Sequence, residues 1–109
     1  MANIMHNKYT SKNYELIIVA QDESAGKVRV VISRNGSSKF NDVVGSFTFY
    51  NDRQTTVMWF TTCDSKWRLE APYRNGDKNF DNWSATKTSI VDTTNVENVY
   101  FTYDIFETT

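Results

Sequence analysis

Apolar and polar positions alternate along much of the chain, and this pattern predicts β-strands. The clearest case is residues 27–33, where Val28, Val30 and Ile32 share one face. Alternating or β-forming segments predict further strands at residues 14–20, 46–50, 55–61, 66–71, 86–92 and 99–106. No stretch carries a sustained apolar stripe of period 3.6, so little helix is expected. The sequence therefore predicts an all-β protein.

The phase of the alternation also predicts which side chains form the core. Residues on the apolar face of each predicted strand are expected to point inward. They are Val28, Val30, Ile32, Phe47, Phe49, Val57, Trp59, Trp67 and Leu69.

Two segments forty residues apart, 33–42 and 73–82, read almost alike. Each contains Arg-Asn-Gly and ends in Phe-Asn-Asp or Phe-Asp-Asn. A constant spacing of this kind marks a duplicated supersecondary unit. We therefore predict one domain with a polar N-terminal arm (1–13), a first repeat (14–53), a second repeat (54–93) and an additional C-terminal strand (94–109).

Each predicted repeat has two strands joined by a hairpin, then a polar loop and a further strand, which is the chain order of a Greek-key unit. Two packed units of this length resemble a βγ-crystallin domain. The resemblance implies an antiparallel β-sandwich of two Greek-key units, extended here by the C-terminal strand.

The βγ-crystallin family carries a six-residue pattern of Asn/Asp, Asn/Asp, any, any, Ser/Thr, Ser, and two such segments build a paired calcium site. Residues 41–46 and 81–86 match its first two positions. The fifth position is Gly45 or Ala85 instead of a ligating hydroxyl, so the resemblance implies weak or lost Ca²⁺ binding and no other cofactor. The same Asn/Asp pairs are also common in ordinary turns. The implied ligand positions are Asn41, Asp42, Val43, Asp81, Asn82 and Trp83.

Composition narrows the classes of partner. Twelve Lys and Arg against thirteen Asp and Glu leave a net charge of −1, so neither a nucleic acid nor a membrane partner is expected. The single Cys63 and a first segment that does not resemble a signal peptide favour a cytoplasmic location, with secretion as the alternative. His6 is the only histidine and lies in the polar arm, which argues against a catalytic triad and against an enzyme.

Two functions are consistent with these patterns. The first is a non-enzymatic βγ-crystallin-like binding or structural protein with degenerate calcium sites. The alternative is a small carbohydrate- or protein-binding module that uses the loop aromatics Trp83, Tyr73 and Phe80. Residues 99–106 form an aromatic strand that could pair within the domain or self-associate with a second copy.

Overall fold

A computed structural model describes residues 5–103, and it confirms an all-β protein. Every strand is antiparallel to the next one in sequence, and the last pairs with the first to close a barrel. Within the described residues, no helix has the length and apolar character needed to cross a membrane. The strands are β1 (Lys8–Thr10), β2 (Tyr14–Asp22), β3 (Lys27–Arg34), β4 (Phe40–Tyr50), β5 (Thr55–Thr61), β6 (Ser65–Pro72), β7 (Asn82–Ser89) and β8 (Val96–Tyr103).

The predicted sandwich of two Greek keys is wrong, because the eight strands form a closed up-and-down barrel. The connections before β4 and β7 are shorter than predicted, because β4 already begins at Phe40 and β7 at Asn82. The connections shrink to residues 35–39 and 73–81. Short connections join neighbouring antiparallel strands, whereas a Greek key needs a long connection that returns past its neighbours.

The forty-residue likeness does not produce two superposable units. Each repeat contributes three strands, and an odd number reverses the strand direction in an up-and-down barrel. Asn35 and Asn75 both lie in tight turns, and the glycine after each has a positive φ, 82° at Gly36 and 78° at Gly76. These turns lie at opposite ends of the barrel. The likeness therefore reflects similar turn chemistry and not a repeated fold.

The inward faces of the strands fill the barrel with side chains. Six of the nine predicted core residues lie in the buried cluster, and Phe49 packs against it partly buried. Three aromatic residues from different strands, Tyr9, Trp83 and Phe101, are completely buried. A barrel of eight strands is just wide enough to be filled in this way or to hold one small ligand.

The predicted phase of β5 is wrong by one residue. Met58 pairs directly with Phe47 of β4 and Leu69 of β6, which both belong to the core, so Met58 shares their inward face. Val57 and Trp59 consequently lie on the outer face, where Val57 is covered and Trp59 is half-buried. Both faces of β5 are apolar, so alternation alone does not identify the inner one.

A glycine lies where β4 changes partner. The first part of β4, residues 40–46, pairs with β3, and residues 46–50 pair with β5. Gly45 is buried at this junction, and a Cβ at its position would lie only 2.2 Å from the carbonyl oxygen of Trp59. The close approach of β5 therefore requires a residue without a side chain.

The two ends of the barrel differ. Loops 11–13, 35–39, 62–64 and 90–95 lie at one end, which we call the mouth end. Loops 23–26, 51–54 and 73–81 lie at the other, the far end.

Residues 1–13 were predicted as a polar arm, but their described part contains β1 and belongs to the barrel. Met5 is buried at the far end, and its backbone amide donates a 2.9 Å hydrogen bond to the side-chain oxygen of Gln21. Tyr9 of β1 is completely buried and donates a 2.5 Å hydrogen bond to the carbonyl oxygen of Phe80. These contacts close the far end.

The predicted C-terminal strand is present as β8, which begins three residues earlier than predicted. It pairs with β7 along its length and with β1 at Thr102 and Tyr103. Val99 and Phe101 share the inward face. Residues 104–106 of the prediction lie outside the described residues, and self-association through this strand stays a prediction.

Candidate functional site

The structure does not bring the two candidate calcium segments together. In an up-and-down barrel, β4 and β7 start at opposite ends. The predicted ligands Asn41, Asp42 and Val43 lie toward the mouth end, and Asp81, Asn82 and Trp83 lie at the far end. The paired site of the βγ-crystallin family needs both segments side by side, so these residues do not form it.

The individual side chains have other partners. Asp42 accepts two hydrogen bonds from Arg29 on the outer wall, at 2.9 and 2.7 Å, and these bonds lower the pKa of its carboxyl group. Asp81 contacts the Nε2 atom of His6 at 3.0 Å. Within residues 5–103, no cluster of three or more His, Cys, Asp or Glu could hold a metal ion. Calcium binding itself stays a prediction.

The family's fifth position is buried in both segments. Gly45 and Ala85 are on the inward face of the barrel, paired with the core residues Val28 and Val99 respectively. A hydroxyl introduced at Ala85 would therefore lie among apolar side chains, and a side chain at Gly45 would collide with the backbone of β5.

The three aromatic residues proposed for ligand binding are buried at the far end. Trp83 is completely buried, and Tyr73 and Phe80 are 8% and 6% exposed. The rings of Phe80 and Trp83 stack with centroids 5.8 Å apart, and the Tyr73 hydroxyl donates to Asn51 at 2.5 Å. These side chains serve to seal the barrel, so they do not offer an exposed stacking surface.

A groove of about 740 Å³ runs along the 73–81 loop at the far end. His6 and Asp81 contact each other beside it, and His6 also stacks on Tyr103 with ring centroids 3.5 Å apart. The ammonium of Lys78 lies 4.8 Å from the centre of the Phe49 ring. The predicted ligand-binding residues Tyr73 and Phe80 line this groove together with the charged residues Arg74 and Asp77.

At the mouth end, the inward-facing positions change from apolar to polar. Side chains of directly paired residues lie on the same face of a sheet, so the partners of buried residues also face the interior. Arg34 pairs with Tyr14, Asn41 with Ile32 and Lys87 with Trp67, and Glu97 in turn pairs with Lys87. We call the set Tyr14, Arg34, Asn41, Trp67, Lys87 and Glu97 the barrel mouth.

Every residue of the barrel mouth except Glu97 lines a cavity of about 300 Å³. Trp67 lines it and is held rigidly, since its ring stacks on Phe60 at 5.7 Å and meets the edge of Tyr14 at 5.2 Å. The indole Nε1 of Trp67 is buried and has no hydrogen-bond partner among the described residues. The cavity thus has a preformed aromatic wall.

A hydrogen-bonded chain orders one side of the mouth. Arg34 Nη2 donates to the Tyr14 hydroxyl at 2.9 Å, and that hydroxyl donates to Oε1 of Glu97 at 2.9 Å. The ammonium of Lys87 lies 5.5 Å from the centre of the Tyr14 ring. Tyr14 is therefore fixed by a cation, a carboxylate and an aromatic neighbour at once.

Asn41 was predicted only as a calcium ligand, and Lys87 was not predicted as a site residue. Lys87 follows the buried Trp83 and Ala85 at alternate positions of β7, so its side chain shares their inward face. This alternation was not recognised, because the predicted strand began at residue 86 and did not include Trp83 or Ala85.

Comparison with known proteins adds no relative. A scan against protein-family models, a search of curated proteins and a search of solved structures each find no match to this chain.

Proposed function

We propose that this protein is a non-enzymatic β-barrel that binds a small molecule in the barrel mouth. The observation that carries the proposal is the change of the inward positions from apolar to polar around a cavity walled by Tyr14 and Trp67. Ligand sites are typically preformed, with aromatic walls and a few convergent polar groups, and barrel mouths are a common location for them.

The cavity size indicates a compact ligand. A volume of about 300 Å³ is at the lower end of the usual range for ligand sites. Since a water molecule occupies about 30 Å³ in the liquid, the cavity has room for about ten non-hydrogen atoms. A single ring with a short substituent fits this description.

The test is a thermal-unfolding screen of soluble compounds with about 8–15 non-hydrogen atoms. A compound at ten times its Kd should add about 1.4 kcal/mol to the native state and raise the unfolding midpoint by about 5 °C. Calorimetric titration then gives the stoichiometry, which should be one ligand per chain.

Two variants with the same substitution locate the site. Asn41→Trp places a large ring in the mouth and should abolish the binding of every hit. Asn82→Trp adds the same ring to an exposed position at the far end and should leave binding unchanged. Hits that survive Asn41→Trp, or a screen without hits, would contradict the proposal.

A further inference from the structure

The barrel mouth concentrates positive charge on a chain that is slightly negative overall. Arg34, Lys39 and Lys87 line the cavity together with a single carboxylate, that of Asp64. The whole chain has a net charge of −1, so the excess of cations at the mouth is a local feature and not a reflection of composition.

Within the described residues, the three cations of the mouth form no direct ion pair. Among residues 5–103, no carboxylate lies within ion-pair distance of Arg34, Lys39 or Lys87, whereas Arg29 on the outer wall pairs with Asp42. Arg34 reaches Glu97 only through the Tyr14 hydroxyl.

The carboxylate of Asp64 accepts a 2.9 Å hydrogen bond from the Ser65 hydroxyl and lies 3.4 Å from the Thr62 hydroxyl oxygen. These partners are neutral, so Asp64 keeps its negative charge. Three cations, Arg34, Lys39 and Lys87, therefore face two carboxylates, those of Asp64 and Glu97, which leaves an excess of one positive charge at the mouth.

Lys87 is the cation best placed to attract an anion into the cavity. Arg34 and Lys39 are exposed and can be screened by water, but Lys87 is half-buried and faces inward, opposite Trp67 in the strand register. Charge interactions are stronger in such a partly enclosed site than at an exposed surface. An anion in the cavity would interact with Lys87 at short range.

We propose that the ligand of the mouth is a compact carboxylate carried on a short aromatic or apolar body, an inference that rests on the proposed function. The carboxylate is held by Lys87 and Arg34. The body packs against the rings of Trp67 and Tyr14, and the ligand is small enough for a cavity of about 300 Å³. Charge-assisted hydrogen bonds to the carboxylate supply the specificity, and the aromatic walls supply apolar contact.

Three probes of nearly equal size test the charge. They are 3-phenylpropionate, its neutral amide 3-phenylpropionamide, and the cation 3-phenylpropylamine, each titrated by calorimetry at low salt. Because hydrogen bonds to a charged group are about twice as strong as neutral ones, the carboxylate should bind about ten-fold more tightly than the amide. The amine should bind more weakly than both.

Lys87→Gln and Lys66→Gln form a matched pair of variants. Each removes one ammonium near the mouth, but Lys66 is exposed on the outer face of the adjacent strand β6. Lys87→Gln should weaken phenylpropionate binding about ten-fold and change amide binding by less than about two-fold. Lys66→Gln should change neither by more than about two-fold.

The outcomes separate the two proposals. Equal affinity for the carboxylate and the amide, or equal effects of the two lysine variants, refutes the anion assignment and leaves a ligand site in place. Failure of all three probes to bind refutes the anion assignment, while hits in the fragment screen that are abolished by Asn41→Trp would still support the proposed function.

Discussion

Replacement of Gly45 by alanine tests the barrel architecture directly, because this position is where β4 changes its partner from β3 to β5. The added methyl group would lie 2.2 Å from the carbonyl oxygen of Trp59 and 2.9 Å from the Cβ of Phe60. To reach an ordinary contact distance of 3.4 Å, the Trp59 carbonyl must move by about 1.2 Å. It is a backbone atom of β5, so no side-chain rotation can relieve the clash.

The expected loss follows from three terms. Overpacking of this kind costs about 1–3 kcal/mol, and a weakened bond in the β4–β5 ladder adds about 1 kcal/mol. The reduced backbone freedom of alanine in the unfolded chain returns about 0.5–1 kcal/mol. We therefore expect Gly45→Ala to lower the free energy of unfolding by about 2–3 kcal/mol, which a domain of typical stability survives.

Urea denaturation followed by near-UV circular dichroism measures this loss, which should lower the midpoint by about 1–2 M. Gly36→Ala is the matched control. Its φ is +82°, so alanine is strained there, but nothing lies within 4 Å of the new methyl group. The net cost at Gly36 should be about 1 kcal/mol or less. A loss at Gly45 no greater than that at Gly36 would refute the close approach of β5.

Two further outcomes are expected, besides the binding tests of the mouth. Burial raises the pKa of Tyr9 to about 12, above its value of 10 in the unfolded chain. The stability that this shift provides is complete below about pH 10 and is lost as the pH rises to 12. The free energy of unfolding should fall by about 2–3 kcal/mol over this range. Urea denaturation at alkaline pH should show this loss in wild type but not in Tyr9→Phe. Ala85→Ser, which would restore a calcium ligand in the βγ-crystallin reading, should instead destabilise the barrel by about 1–3 kcal/mol, because it buries a hydroxyl. Thermal unfolding with calcium and with EDTA distinguishes a restored calcium site from a buried hydroxyl. Only a restored site makes the unfolding midpoint of Ala85→Ser depend on calcium.

Strand content and part of the core could be predicted from the alternation of apolar residues, since six of the 19 residues in the buried cluster were predicted to face inward. Val28, Val30 and Ile32 lie in the core as expected, because one face of β3 is apolar and the other is largely polar. In β5 both faces are apolar, so pairing with β4 and β6 decides which face points inward. The predicted phase around Trp59 was therefore wrong.

The candidate sites were harder to predict, because residues 41–45 and 82–85 were expected to be loop and instead belong to β4 and β7. Asn, Asp and Gly are uncommon in strands, so local propensity favours a turn there. The barrel overrides this preference: Asp42 is paired across strands with Arg29, and Gly45 is needed for the approach of β5. Longer strands left shorter connections, and these excluded the Greek-key crossing.

Local chemistry in the sequence was sufficient to determine the all-β class, the tight Asn-Gly turns and the inward face of strands with one apolar side. These features depend on backbone sterics and on neighbours a few residues apart. The direction of each strand, the closure of β1 on β8 and the convergence of Arg34, Lys87 and Trp67 depend on pairs that are far apart in sequence. The mouth arises because closing the barrel brings together the ends of strands that share no local pattern.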